Sequence, residues 1–193
     1  MRKRLSLDAA YFDGLYRAAP DPWGFASSDY EAEKYDHTLA ALGDEKAASA
    51  LEVGCSIGVL TRRLAEVCDR LVATDLAKAA LGEARRRCAD LGNVEFRLVT
   101  SAAESFSGRF DLIVLSEVVY YWDDADIARV AVALEQTLAP DGRALLVHWL
   151  GETDYPKSAD EAVSALLALA PRVSIEKAER RGKYRLDLWR RLA

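Results

Sequence analysis

Short apolar runs and longer amphipathic stretches alternate from about residue 50 onward, and this alternation constrains the fold more than any other feature. Apolar runs at 50–53, 70–74 and 94–99 have strand length, and Phe110-Asp-Leu-Ile-Val-Leu-Ser116 is continuous enough for the middle of a parallel sheet. Between them, residues 59–68 carry Leu60, Leu64 and Val67 at helical spacing, and 78–91 read as a helix stopped by Gly92-Asn93. Residues 123–138 place Ile127, Val130, Ala131, Leu134 and Leu138 on one helix face. Pro140-Asp141-Gly142 has the chemistry of a turn before a fifth strand at 144–147. Ser158 and Glu161 form a capping box ahead of Val163, Leu166 and Leu167, and runs at 172–177 and 183–189 suit an antiparallel pair at one edge. The pattern predicts an α/β fold: a Rossmann-like, seven-stranded, mostly parallel sheet with helices on both faces. Ligands of such sheets bind beyond the carboxyl ends of the strands where strand order reverses, here between the first and fourth strands.

Residues 1–49 are of another kind. Tyr11, Phe12, Tyr16, Trp23, Phe25, Tyr30 and Tyr35 crowd this region, which breaks at Pro20-Asp-Pro-Trp-Gly24; Ser28 and Glu31 then form a second capping box for a helix running to about Leu42. Helices that only packed on the sheet edge would more often use Leu, Ile and Val. The aromatic content predicts an N-terminal helical lid over the carboxyl ends. The expected organisation is a single domain over 1–193, with 1–49 as the lid and 50–193 as the core.

Bulk properties exclude several function classes. The formal net charge of −5 predicts no nucleic-acid partner, and the basic ends (Arg2-Lys3-Arg4 and Arg190-Arg191) read as solvated termini. Cys55, Cys68 and Cys88 are odd in number and widely spaced, which argues against a disulfide framework and for reduced thiols in the cytoplasm. With only His37 and His148 beside them, no metal set is expected. No apolar run is long enough to span a bilayer, so no membrane partner is expected, and the chain should act as a monomer or weak dimer.

The turn Glu52-Val-Gly-Cys-Ser-Ile-Gly58 lies where a strand ends and a helix begins. Glycines there allow positive φ and close approach of a ligand to the backbone. Asp75 ends the second strand at the same edge, suited to accept two ribose hydroxyls. A dinucleotide would want a G-x-G-x-x-G turn for its pyrophosphate, whereas here Ser56 stands where the second glycine would fall. Glu52, just before the turn, would repel phosphate and attract an ammonium. Charge therefore favours S-adenosylmethionine over NAD.

These residues, with Phe110–Ser116 running into Glu117 and the Leu138-Ala-Pro-Asp-Gly142 turn, resemble class I S-adenosylmethionine-dependent methyltransferases over roughly residues 50–150. Pro20-Asp-Pro-Trp23, Ser28-Asp-Tyr-Glu31 and Glu117-Val-Val-Tyr-Tyr121 give a narrower resemblance, to the nodulation protein S family. Members of that family N-methylate a free amino group on a de-N-acetylated chitooligosaccharide. The resemblance implies that Gly54, Cys55, Ser56 and Gly58 cradle the methionine part of the cofactor, with Glu52 near its amino end and Asp75 on the ribose. It places Leu76 beside the adenine, and Ser101 and Ala102 at the adenine amine. The acid often found near that point is absent, Glu104 being the nearest one. Ser116 and Glu117 would line the floor near the sulfonium, and Trp23 and Tyr35 would close over it.

The acceptor is expected to be a small-molecule amine, such as an amino sugar, or a hydroxyl, with glycans among the candidates. Glu117, Tyr120 and Tyr121 follow the strongest strand at the right edge to attract a cationic amine and take its proton; alternatively they cap and pack. His148 closes the fifth strand and is either a base or a structural histidine. No equivalent histidine is a hallmark of the nodulation family. Residues 151–157, with Asp154 and Tyr155, are read as an acceptor loop or as an exposed connector, and His37 as a surface residue.

Overall fold

Alternating burial along the strands sets the architecture. Odd-numbered Leu51, Val53, Ile113 and Leu115 pack in one core, while Ala50, Leu112 and Val114 pack in another on the opposite face. The strands are β1 (Ala47–Val53), β2 (Cys68–Asp75), β3 (Val94–Leu98), β4 (Phe110–Ser116), β5 (Leu138–Trp149), β6 (Val173–Arg181) and β7 (Tyr184–Arg191). They form one sheet in the order β3-β2-β1-β4-β5-β7-β6. β1 to β5 are parallel, and β7 runs antiparallel to both β5 and β6. The helices are α1 (Ala9–Ala18), α2 (Asp29–Leu42), α3 (Val59–Leu64), α4 (Lys78–Arg87), α5 (Asp124–Thr137) and α6 (Ala159–Ala168). This computed structural model describes residues 2–192; Met1 and Ala193, the two ends of the expected domain, lie outside the described residues. Among the described residues no helix is long and apolar enough to cross a membrane.

The apolar stripe of α5 (Ile127, Val130, Ala131, Leu134) and that of α6 (Ala162, Val163, Leu166) cover one face of the sheet. Leu60 and Leu64 of α3 cover the other face with Tyr35, Ala41 and Leu42 of α2. α5 starts where expected because Asp123 caps it, its side chain accepting the Asp126 N–H at 2.9 Å. α6 has the full capping box, with Ser158 Oγ accepting the Glu161 N–H and the Glu161 carboxylate accepting the Ser158 N–H.

Four expectations need correction. α3 stops at Leu64 rather than running to Cys68, because Cys68 already belongs to β2, paired with Ala47. The expected Pro140-Asp141-Gly142 turn lies inside β5. The register passes from Phe110↔Leu138 to Leu112↔Arg143, so the turn is an outward bulge with Asp141 at φ 58°. The α2 box is half formed: Ser28 Oγ accepts the Glu31 N–H at 3.4 Å, but the Glu31 carboxylate turns to Lys34 instead. His37 is not a free surface residue, since its ring nitrogens lie 2.8 Å from Tyr184 Oη and 3.0 Å from Glu179, tying α2 to the antiparallel edge.

Candidate active site

The reversal of strand order between β1 and β4 opens a cleft at their carboxyl ends. Phe12 and Tyr16 of α1, with Trp23 and Phe25 of the following loop, form its outer wall. The segment before α1 is tied across the same edge: the Leu7 N–H donates to the Tyr121 carbonyl at 3.0 Å, and the Asp123 N–H donates to Ser6 Oγ at 2.9 Å.

The glycine turn and Asp75 are locked to each other. The Ser56 N–H donates to Asp75 Oδ2 and the Ala77 N–H to Oδ1, each at 2.8 Å. Each oxygen keeps a further acceptor site. Burial raises the Asp75 pKa to about 6, although these backbone donors pull it down. Ser56 sits at φ 51°, an uncommon backbone state for a non-glycine residue, and its Oγ accepts the Tyr16 hydroxyl at 2.6 Å. A Cβ on Gly54 would stand 2.4 Å from Val118 Cγ1, so this position leaves no room for a side chain.

Glu52 lines the cleft, but its charge differs from the expectation of a fixed anion. Burial raises its pKa to about 8 despite the Thr61 hydroxyl donated to Oε2 at 2.6 Å. At neutral pH it is held largely protonated.

On the adenine side, Leu76, Ala102, Val99 and Ser105 line the cleft. Ser101 does not: it is exposed, and its Oγ accepts the Glu104 N–H. Glu104 is also turned away, accepting the Thr100 N–H at 2.6 Å. Gly58 is likewise absent from the lining. Its φ is +79° and a Cβ there would stand 2.9 Å from Ala84 Cα, so this glycine lets α3 and α4 approach rather than touching a ligand.

At the far end, Ser116, Glu117, Tyr35 and Tyr121 line the cleft, as do Val118 and Trp122. Glu117 has φ 58° and is held from several sides. Lys34 Nζ lies 2.7 Å from Oε1, while the Tyr120 hydroxyl (2.5 Å) and the Trp149 N–H (2.9 Å) donate to Oε2. Burial, the largest single influence, would raise its pKa, but the Lys34 ammonium, the His148 ring and the Tyr120 hydroxyl together outweigh it and hold Glu117 below the usual glutamate range. Glu117 is therefore an anion and a weak base, not the proton acceptor the sequence suggested. Tyr120 stands behind it, off the cleft wall, and burial raises its pKa well above the ordinary tyrosine value.

His148 as a base is corrected outright. It is fully buried, does not line the cleft, and Nε2 accepts the Val119 N–H at 3.1 Å. Burial lowers its pKa to about 4, so it stays neutral behind the site. The 151–157 loop does not line the cleft either. Tyr155 stacks on Tyr120 with centroids 5.3 Å apart, and Asp154 pairs with Lys3.

Sequence reasoning missed Lys34, Tyr16 and Ser105 as parts of this site. Tyr16 lay within the aromatic-rich stretch, while nothing in the sequence separates Lys34 from a solvent-facing helical lysine.

A family model described as Nodulation protein S (NodS) matches residues 15–149. The chain belongs to the nodulation protein S family. Among its relatives, Nodulation protein S of Sinorhizobium fredii (strain NBRC 101917 / NGR234) is 35% identical over 127 residues, covering 65% of this chain and 59% of the relative. That of Rhizobium tropici is 38% identical over 129 residues, 65% of this chain and 53% of the relative. This family member thus spans less than two thirds of the length of those relatives. Among solved structures, N-methyltransferase NodS from Bradyrhizobium japonicum WM9, in complex with S-adenosyl-l-homocysteine, has a TM-score of 0.81 at 24% identity. That match covers 95% of this chain and 99% of the other, and it shows the shared fold. A putative methyltransferase from Pseudomonas syringae is 37% identical with a TM-score of 0.73, covering 84% of this chain and 99% of the other.

Proposed function

We propose that this chain is an S-adenosylmethionine-dependent methyltransferase acting on a small-molecule amine, an amino sugar of the chitooligosaccharide type being the leading acceptor. One observation carries the reading. The cleft between β1 and β4 is lined by three carboxyl groups, Glu52, Asp75 and Glu117, and by no Lys, Arg or His among the described residues. A pyrophosphate would find no cation there, whereas a nucleoside bearing an ammonium and a sulfonium finds a carboxyl at each end. The family membership supports the same chemistry, as does the N-methyltransferase name of the NodS structure that shares this fold.

The side chains present fit such a cofactor. Asp75 keeps acceptor sites for ribose hydroxyls, Leu76, Val99 and Ala102 offer an apolar slot for adenine, and Gly54, with no side chain, exposes its backbone on the cleft wall. Glu52 would meet the amino end, and Trp23 and Tyr35 would cover the sulfur end as part of the N-terminal lid. When bound, this cofactor supplies an activated methyl group, so the protein's task is mainly positioning. Glu117, kept ionised, would accept hydrogen bonds from the neutral acceptor amine, orienting its N–H bonds so that its lone pair faces the methyl group, and would stabilise the positive charge that the amine gains on transfer.

The acceptor assignment follows from which base is missing. An amine attacks through its own lone pair and sheds its proton from the product, whereas a hydroxyl needs a base during transfer. His148 is shut away from the cleft and Glu117 is a weak base, which favours the amine.

Calorimetry with S-adenosylhomocysteine tests the cofactor. Asp75→Ala should weaken binding by more than about tenfold, roughly 1.4 kcal/mol, and equal affinity in the two proteins would sink the reading. A screen with labelled methyl donor should mark glucosamine-type amines ahead of their N-acetylated or hydroxyl counterparts.

A further inference from the structure

Three charged side chains meet behind the acceptor end of the cleft. Lys34 Nζ lies 2.9 Å from Glu31 Oε1 and 2.7 Å from Glu117 Oε1, and Lys34 is only 2% exposed. The ammonium also sits over the rings of Tyr30 and Tyr35, at 5.5 and 5.9 Å from their centroids. Glu31 Oε2 is buried and, although 2.8 Å from Nζ, is outside hydrogen-bond geometry. Two carboxylates share one ammonium, so one negative charge has no partner in a water-poor setting, where such a charge is expensive. The other donors on Glu117, the Tyr120 hydroxyl and the Trp149 N–H, are neutral and do not cancel it. Of the three charged groups, only Glu117 lines the cleft, so the surplus charge can be met there only by a ligand.

We propose that Lys34 is a positioning residue. Gripped between Glu31 and Glu117, it keeps the Glu117 carboxylate ionised and fixed on the cleft wall, so that the surplus negative charge selects a ligand that is positive at that point. This rests on the methyltransferase reading and sharpens it. The cleft discriminates the sulfonium of the methyl donor from the neutral thioether of the spent cofactor, which favours product release after each transfer.

The groups facing Glu117 are few. α2 supplies Lys34, Glu31, Tyr30 and Tyr35; the turn after β4 supplies Tyr120 and Tyr121; β5 supplies His148, with Arg185 and Asp187 of β7 beyond it. The tyrosines titrate above their ordinary value and His148 at about 4, so all stay neutral between about pH 6 and 8.5. Glu52 and Asp75 titrate in that window, but they act on both ligands at groups the two share.

The experiment is calorimetric titration of S-adenosylmethionine and S-adenosylhomocysteine into wild type, Lys34→Met, Lys34→Arg and Glu31→Gln across that pH range, read as the ratio of the two affinities. Wild type and Lys34→Arg should prefer the sulfonium at a ratio flat with pH. In Lys34→Met the preference should fall about tenfold at pH 6 and recover by pH 8.5 as Glu117 regains its charge. Glu31→Gln, which removes the surplus charge, should lower the preference at every pH. A ratio unchanged in both Lys34→Met and Glu31→Gln, with both affinities falling together, means Lys34 is only a structural strut and overturns the proposal. Should Lys34→Met fail to fold, Glu31→Gln decides on its own. Absence of binding of either ligand to wild type would instead overturn the methyltransferase reading itself.

Discussion

Glu52 shows how burial turns a simple charge argument into a proton-linked one. Its pKa of about 8 means that a cation arriving beside it must expel its proton at pH 7. Titrating S-adenosylmethionine in buffers of different ionisation heat should therefore reveal uptake of protons by the buffer, on the order of one per site below pH 7.5. Glu52→Gln should abolish that release, and an identical buffer dependence in the variant would refute the assignment. Gly54 gives a second residue-level expectation. Gly54→Ala forces a methyl group against Val118 at a backbone φ of 77°, so the cofactor turn should open and S-adenosylhomocysteine binding should drop by at least about tenfold. Asp75 and Gly54 were legible in the sequence because their places follow from where strands end. Lys34 was not, since burial of a lysine depends on two carboxylates brought together from residues 31 and 117, and a linear pattern cannot display that meeting.

Among the elements, helix capping was the most readable signal and helix ends the least. The Ser158 box formed in full, so Ser158→Ala should cost about 1 kcal/mol, a fall in Tm of roughly 2–4 °C measured by circular dichroism. The Ser28 box formed by half because Glu31 found a stronger partner in the Lys34 ammonium than in a backbone N–H. Long-range electrostatics overrode a local motif there. α3 ended early for a similar reason, since pairing with β1 drew Cys68 into β2. At the α3–α4 contact, Gly58→Ala should lower Tm by roughly 3–8 °C through left-handed strain and the close approach of Ala84. It should leave the affinity of correctly folded protein for S-adenosylhomocysteine largely intact, since Gly58 does not line the cleft. Equal losses in Gly58→Ala and Gly54→Ala would remove the distinction between a packing and a ligand glycine.

Over the whole molecule, the buried carboxyls and the buried histidine act on stability in opposite senses. Glu52, raised from 4.5 to about 8, keeps a proton in the fold that the unfolded chain sheds, so its contribution is present at low pH and is lost as pH rises toward 8. His148, lowered from 6.5 to about 4, contributes above pH 6.5 and loses its contribution as pH falls toward 4. Between pH 6.5 and 8 only the first effect operates, so the ligand-free protein should lose stability by on the order of 1 kcal/mol per pH unit. Glu52→Gln should flatten that slope in denaturant titrations, and a wild-type slope near zero would contradict the burial of this carboxyl. The sheet order was legible at β1 and β4, where the pattern located the ligand edge, but not at the far side, where β7 inserts between β5 and β6. That insertion has a consequence for biosynthesis. The strand spanning Tyr184–Arg191 is interior to the sheet yet follows β6 in the chain, so β6 has no sheet neighbour to zip onto until β7 has been made. The nascent chain therefore carries the naked edge of β5 while α6 and β6 are being made, and closure of this side of the sheet waits for β7.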